Sequence, residues 1–195
     1  YKRADLLLHD LERFEKMLTN AKYPVQIIWA GKPYPMDYYA IDIFNHLVNF
    51  SKQYPNLAVL VGYEIDLSRQ LKCGSDVWLN TPRITREASG TSGMKAALNG
   101  VPNFSVLDGW WIEGHIEGVT GWSIGPPPTE ISTNVNHSDE DVKDLYEKLE
   151  KTIIPLYYND RKAWTKVMKN AIGKNAYYFN THVMMRRYVT EAYLR

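Results

Sequence analysis

Val25-Gln26-Ile27-Ile28-Trp29-Ala30, closed by Gly31-Lys32-Pro33, is the stretch on which the fold class turns. It is too continuously apolar for a strand that alternates between core and solvent, so it predicts a strand buried on both faces. Leu57-Ala58-Val59-Leu60-Val61, closed by Gly62, repeats the pattern. Between the two, Ile41, Phe44, Leu47 and Val48 share one face of a helix, and upstream Leu6, Leu7, Leu11, Phe14 and Leu18 recur at helical spacing. Downstream the alternation continues. Leu67 and Leu71 lie on a helix ending at Gly74, Asp76–Asn80 reads as a strand, and 82–88 reads as a loop. Thr91–Asn99 reads as a helix closed by Gly100, where glycine can take the left-handed cap conformation. Asn103–Leu107 and Trp122–Ile124 complete the set of strands. Strands alternating with helices predict an α/β fold with one parallel sheet and right-handed crossovers.

After Gly125 the character changes. Pro126-Pro127-Pro128 and the polar residues to Asn136 predict an exposed loop. Ser138-Asp139-Glu140-Asp141 predicts a helix start, with Ser138 as the capping residue and acids in the first turn. Three further sets, Leu145/Leu149/Ile153, Trp164/Val167/Ile172 and Val183/Tyr188/Tyr193, extend the helical pattern to the end. The expected organisation is an α/β region over residues 1–137 and C-terminal helices over 138–195 packing on the same domain.

The 195 residues are 45% apolar and 23% charged, which excludes a disordered tail, a collagen-like repeat and a disulfide-stapled miniprotein. Lys and Arg number 23 against 22 Asp and Glu, so no strong field favours nucleic acid or an anionic membrane. No apolar run approaches the about 20 residues that span a bilayer. Cys73 stands alone, without an internal disulfide partner, and no Cys/His spacing suits a metal. Tyr1 begins the chain without Met, as in a fragment or a processed product. Three sequons occur, at Asn49, Asn103 and Asn136, but a lone cysteine and no visible signal segment point to a cytoplasmic protein without glycosylation.

Chemistry concentrates in Glu87-Ala88-Ser89-Gly90-Thr91-Ser92-Gly93-Met94-Lys95. Glycines and hydroxyl residues meet there at a loop-to-helix junction, where backbone N–H groups approach an anion and the helix N-terminus favours negative charge. Lys95 lies one turn in, placed to meet a phosphate or to act as a Schiff-base amine. The segment lacks the Gly-Lys-Ser/Thr ending of a Walker loop and the glycine spacing of a dinucleotide fingerprint. Composition leaves two readings, an anion site or a tight strand-to-helix turn packed with small residues.

That segment, with the Ala-Ala-Leu-Asn-Gly that follows it, closely resembles the pyridoxal-phosphate site of the α-glucan phosphorylases. Tyr1-Lys2-Arg3, Ala30-Gly31-Lys32, Val61-Gly62-Tyr63, Asp76 to Pro82 and Leu107-Asp108-Gly109-Trp110-Trp111-Ile112-Glu113-Gly114 follow in the family's order. The resemblance is detailed from Tyr1 to Gly125 and loose beyond. It implies a Rossmann-like domain, the C-terminal half of a two-domain GT-B glycosyltransferase architecture with the active site in the cleft between the halves. It implies that Lys95 carries pyridoxal 5′-phosphate as a Schiff base and that Thr91 and Ser92 cradle the cofactor's 5′-phosphate. It also implies that Tyr63 stands beside the cofactor and that Lys2 faces the cofactor and substrate phosphates. By the same resemblance, Glu87, Ser89 and Gly90 are expected to meet hydroxyls of the transferred glucosyl unit. The implied partners are α-1,4-glucan, inorganic phosphate and an N-terminal domain of the same enzyme. Without that domain, this part is expected to be inactive and to expose an apolar face prone to self-association.

Gly-Thr-Ser-Gly-Met-Lys and Asp-Gly-Trp-Trp resemble the shorter bacterial and archaeal branch rather than the muscle and plant enzymes. Glu64 stands where the longer enzymes have an arginine near the cofactor, so that role is not carried over. Nor is phosphorylation or nucleotide control. Plainer readings stand beside these assignments: Lys2 as a solvated cation, Tyr63 as packing, Glu87 as a surface acid, and Trp110-Trp111 as core rather than a sugar platform. A glycogen-synthase-type retaining transferase is the alternative enzyme, and a sugar-binding or assembly fragment is the alternative without catalysis.

Overall fold

The computed structural model describes residues 1–62, 64–126 and 137–194. A 3-10 turn, Leu6–His9, precedes α1 (Leu11–Leu18). The Asp10 carboxylate accepts from the Arg13 backbone N–H at 3.1 Å and caps α1, which splits the single helix predicted there. Then come β1 (Ile27–Gly31), α2 (Tyr38–Ser51), β2 (Leu57–Val61), α3 (Ile65–Gly74), β3 (Trp78–Asn80), α4 (Thr91–Leu98), β4 (Asn103–Val106), the one-turn α5 (Trp111–Gly114) and β5 (Gly121–Ile124). Every strand pair is parallel, so the predicted α/β class with parallel strands is the class observed.

The single sheet is not. β1 pairs with β2 from Ile27↔Leu57 to Gly31↔Val61, and β4 lies between β3 and β5 in a separate group. Residues 1–4 reach both groups. Trp29 Nε1 donates to the Ala4 carbonyl at 2.9 Å, while the Arg83 N–H, just past β3, donates to the Tyr1 carbonyl at 2.7 Å. Nor is β1 buried on both faces. Ile27 and Trp29 pack on the core, whereas Ile28 and Ala30 are exposed, because only one face of this pair is covered. In β4 and β5 every residue is buried.

Past the predicted 126–136 loop, of which 127–136 lie outside the described residues, come α6 (Ser138–Lys148), α7 (Ile154–Asn159), α8 (Arg161–Asn170) and α9 (Thr181–Tyr188). π-helical turns at Leu149–Ile153, Ala171–Ala176 and Val189–Tyr193 interrupt or end them. His137, not Ser138, occupies the N-cap of α6. Ser138 is the first helical residue, and its hydroxyl accepts from Arg3 Nη1 at 3.3 Å. Of the residues that helical spacing grouped, Leu145, Ile153, Trp164 and Val167 are buried, whereas Ile172, Tyr188 and Tyr193 are exposed.

One core joins α1, β1, β4, β5, α6 and α8 through Phe14, Trp29, Phe104, Trp122, Leu145 and Trp164. Within it Trp122 stacks on Trp164 at 5.7 Å between centroids. A second, smaller core of Ala97, Trp110, Trp111 and Ala171 lies under α4, with Met94 and Phe179 against it.

The turn before β5 is tied down by polar groups. The Glu117 carboxylate pairs with His115 Nε2 at 2.6 Å and accepts from the Ser123 N–H at 2.9 Å and the Ser123 hydroxyl at 3.0 Å. Lys148 lies 3.5 Å away. Burial pushes this carboxyl up, but the bonds from His115 and Ser123 and the charge of Lys148 outweigh it and hold Glu117 at about 2. Among the described residues no helix is long and apolar enough to cross a membrane, and no His/Cys/Asp/Glu group could hold a metal ion.

Candidate functional site

The strand-to-helix junction after β3 owes its form to small residues. Gly90 takes a left-handed φ of +82° at the N-cap of α4, and no side chain caps the helix there. The first amides of the helix, those of Thr91 and Ser92, therefore face outward without the intrahelical partners that later turns have. Three residues on, Gly93 is where α4 meets β4. Asn103 Nδ2 donates to the Gly93 carbonyl at 3.0 Å. A Cβ at Gly93 would collide with Asn103 Oδ1 and sit 2.9 Å from Trp110 Nε1. The motif's glycines thus serve the turn and the packing, and those are what leave the helix end open to a ligand.

Helical spacing sorts the rest of the motif. Gly93, Ala96 and Ala97 are buried against the sheet and the second core, while Thr91 and Lys95, one turn apart, share the exposed face. The Lys95 carbonyl accepts from Asn99 Nδ2 at 2.7 Å. Among the described residues the Lys95 ammonium has no hydrogen-bond or ion-pair partner.

The loop leading to α4 is stitched to the turn after β4. The Asp108 carboxylate, which is buried, accepts from the Glu87 N–H and the Gly109 N–H, both at 2.9 Å. The Trp110 N–H donates to the Ser89 carbonyl at 2.9 Å. These bonds fix Glu87, Ser89 and Gly90 relative to one another. The Glu87 side chain is only 9% exposed, and its carboxylate forms an ion pair with the Lys2 ammonium, which is 48% exposed. Lys2 also lies over the Tyr1 ring at 5.1 Å.

Of the residues predicted for the site, the structure joins Lys2 to Glu87 directly and places Glu87, Ser89, Gly90, Thr91, Ser92 and Lys95 along one loop and helix. Tyr63 lies outside the described residues. Trp110 and Trp111 are buried, which settles their reading as core.

The sequence reading assigns no role at the site to Asp108, Thr81, Arg3 or Asp141, yet all four brace it. The Thr81 hydroxyl donates to the Lys2 carbonyl at 2.8 Å. Arg3 forms a buried ion pair with Asp141 at 2.7 Å. Burial pushes the Asp141 carboxyl up, against the lowering pull of Arg3. An aspartate directly before glycine at a strand end is a turn signal that could have flagged Asp108. The Arg3–Asp141 pair has no local signal, because its partners are far apart in sequence.

Parallel strands alternating with helices, with a helix N-terminus open after a strand, form a Rossmann-like α/β unit of the kind that makes up one half of the GT-B fold. The Anabaena protein Alr3699/HepE, solved in complex with UDP-glucose, superposes on 100% of this chain and 46% of its own at a TM-score of 0.71 and 16% identity. No family model matches the chain.

Similarity to individual proteins is closer. The maltodextrin phosphorylase of Thermococcus litoralis is 43% identical over 99% of this chain and 23% of its own length. The glycogen phosphorylase of Aquifex aeolicus is 39% identical over 99% of this chain and 28% of its own length. That of Mycobacterium tuberculosis is 34% identical, again over 99% of this chain and 23% of its own length. The chain is therefore similar over nearly its whole length to maltodextrin and glycogen phosphorylases, matching a C-terminal fragment and spanning about a quarter of the length of these curated relatives. Since the alignments take in 99% of the chain, the likeness continues past Gly125 through the C-terminal helices.

Proposed function

We propose that the chain is the cofactor-carrying part of an α-1,4-glucan phosphorylase, with pyridoxal phosphate held on Lys95. The observation that carries this reading is the exposed Lys95 ammonium, without a partner among the described residues, one turn from an uncapped helix N-terminus. A covalently held aldehyde needs a free amine, and its phosphate needs unshared N–H donors and a nearby cation. Lys95, the Thr91 and Ser92 amides and Lys2 are of the right chemistry. The residues present therefore fit the group. When bound, the cofactor supplies its 5′-phosphate as the acid/base partner of inorganic phosphate.

The chain's own residues bind and orient. Thr91 and Ser92 hold a phosphate at the helix end, and Lys2 neutralises charge where two phosphates approach. Glu87, Ser89 and Gly90 receive the hydroxyls of the terminal glucosyl unit. In the reaction a phosphate oxygen bonds to the terminal glucosyl carbon, the bond from that carbon to the shortened glucan breaks, and the leaving oxygen takes a proton. The product is α-glucose 1-phosphate with retained configuration. Holding these groups in register is a matter of positioning and electrostatics. The remaining protein lies in the cleft partner, so the chain by itself is inactive.

UDP-glucose in the complex of Alr3699/HepE suggests a nucleotide-sugar transferase as the second reading. Such an enzyme needs no amine at Lys95, and the names of the relatives favour phosphorolysis.

The test is release of glucose 1-phosphate from maltoheptaose and phosphate by the longer protein that contains this segment. The expected result is turnover by that protein, a loss of at least about a thousandfold in Lys95→Ala, and none from the 195-residue chain. Undiminished turnover by Lys95→Ala contradicts the reading.

A further inference from the structure

Arg3 is a buried cation whose side chain ties two distant parts of the chain together. Its Nε donates to the Thr81 carbonyl at 3.0 Å and its Nη2 to the Pro82 carbonyl at 2.8 Å, at the start of the loop that ends in Glu87. Its Nη1 donates to the Ser138 hydroxyl at 3.3 Å, and Nη2 also pairs with Asp141 at 2.7 Å, both in the first turn of α6. The side chains of the pair are 8% and 6% exposed. Thr81 returns the contact, its hydroxyl reaching the Lys2 carbonyl at 2.8 Å and the Arg3 carbonyl at 3.1 Å. The backbone of Arg3 itself takes a φ of +45°, a left-handed value that a non-glycine residue holds only when its surroundings enforce it.

These bonds fix both ends of the Lys2–Glu87 pair. One end is the residue next to Arg3, and the other hangs from the loop that Arg3 anchors at Thr81 and Pro82. We propose that the Arg3–Asp141 pair is a positioning device for Lys2, setting where the Lys2 ammonium meets a bound phosphate. The inference rests on the reading of Lys2 as a phosphate-binding residue.

Buried ion pairs add little net stability over apolar residues of similar volume, but they fix geometry through their forked hydrogen bonds. That difference gives the pair a signature that packing lacks. Replacing both members by apolar residues should leave the fold standing and release Lys2. A second lever acts on Asp141 from the turn after β5. Gly125 lies against it with φ +76°, and a Cβ there would collide with Asp141 Oδ1.

The test is a double-mutant cycle on the 195-residue chain, with pyridoxal phosphate as the probe and its absorbance shift as the readout of affinity. Lys2→Met is expected to weaken binding about tenfold, the size of one charge-assisted phosphate contact. Arg3→Met/Asp141→Leu, with thermal stability close to that of the parent, is expected to weaken it by a similar factor. The triple variant is expected to be no weaker than either, because the pair acts through Lys2. Gly125→Ala should shift affinity in the same direction and serves as the second variant if the apolar pair fails to fold. Factors that multiply in the triple variant, or parental affinity in a stably folded Arg3→Met/Asp141→Leu, overturn the inference alone. No binding by the parent chain overturns the reading of the site and the inference with it.

Discussion

The two groups of strands in this chain are both short and parallel yet live in different surroundings. Leu57-Ala58-Val59-Leu60-Val61 and Asn103-Phe104-Ser105-Val106 are both short parallel strands ended by turns. β1 and β2 keep one face on the core, and Ile28 on the other face is 43% exposed. β4 and β5 are buried throughout, with Trp111 Nε1 bonded to the Trp122 carbonyl at 3.3 Å and Trp164 stacked on Trp122. The candidate site hangs from the second group. α4 rests on β4 through Gly93 and Asn103, and Asp108 at the end of β4 holds Glu87. A site that depends on sub-ångström placement is carried by the group whose β4 and β5 are fully buried, while the half-covered pair keeps an apolar face open.

The contrast can be broken by truncation. Trp122→Ala removes a side chain that is 1% exposed from the main core, and the expected loss is about 3–5 kcal/mol in urea unfolding, with loss of cofactor binding. A smaller loss is expected for Glu117→Gln, and it depends on pH. The folded-state value of Glu117, about 2, lies below its ordinary 4.5, so its contribution is fully present above about pH 4.5 and fades as pH falls towards 2. Stability against pH should therefore slope less steeply through that window in Glu117→Gln than in the parent, and equal slopes would remove Glu117 from the account. The smallest effect belongs to Ile28→Ala on the open face, about 1 kcal/mol or less, with cofactor affinity unchanged. A loss at Ile28 equal to that at Trp122 would erase the distinction between the two groups.

The alternation of strands and helices was legible because apolar runs and glycine or proline stops are local signals, and the motif from Glu87 to Lys95 was legible for the same reason. Partial exposure of β1 was not, since an apolar run reads the same whether or not something covers its second face. The contact of residues 1–4 with both groups of strands was equally invisible, because it depends on Trp29 reaching Ala4 and Arg83 reaching Tyr1. The sequence alone suggests a capping role for Ser138. The fold turns Ser138 and Asp141 inward to Arg3, a contact between residues far apart in the chain. Trp110 and Trp111 suit a sugar platform by type, and only packing against Ala97, Ala171 and Phe179 makes them core.

The central claim is that α4 presents Lys95 as the amine that carries the cofactor. Borohydride reduction of the chain loaded with pyridoxal phosphate, followed by peptide mass mapping, tests it most directly. The account predicts the reduced cofactor mass on the peptide containing Lys95 and its absence from that peptide's counterpart in Lys95→Ala. The same mass on a different lysine, or on none, contradicts it.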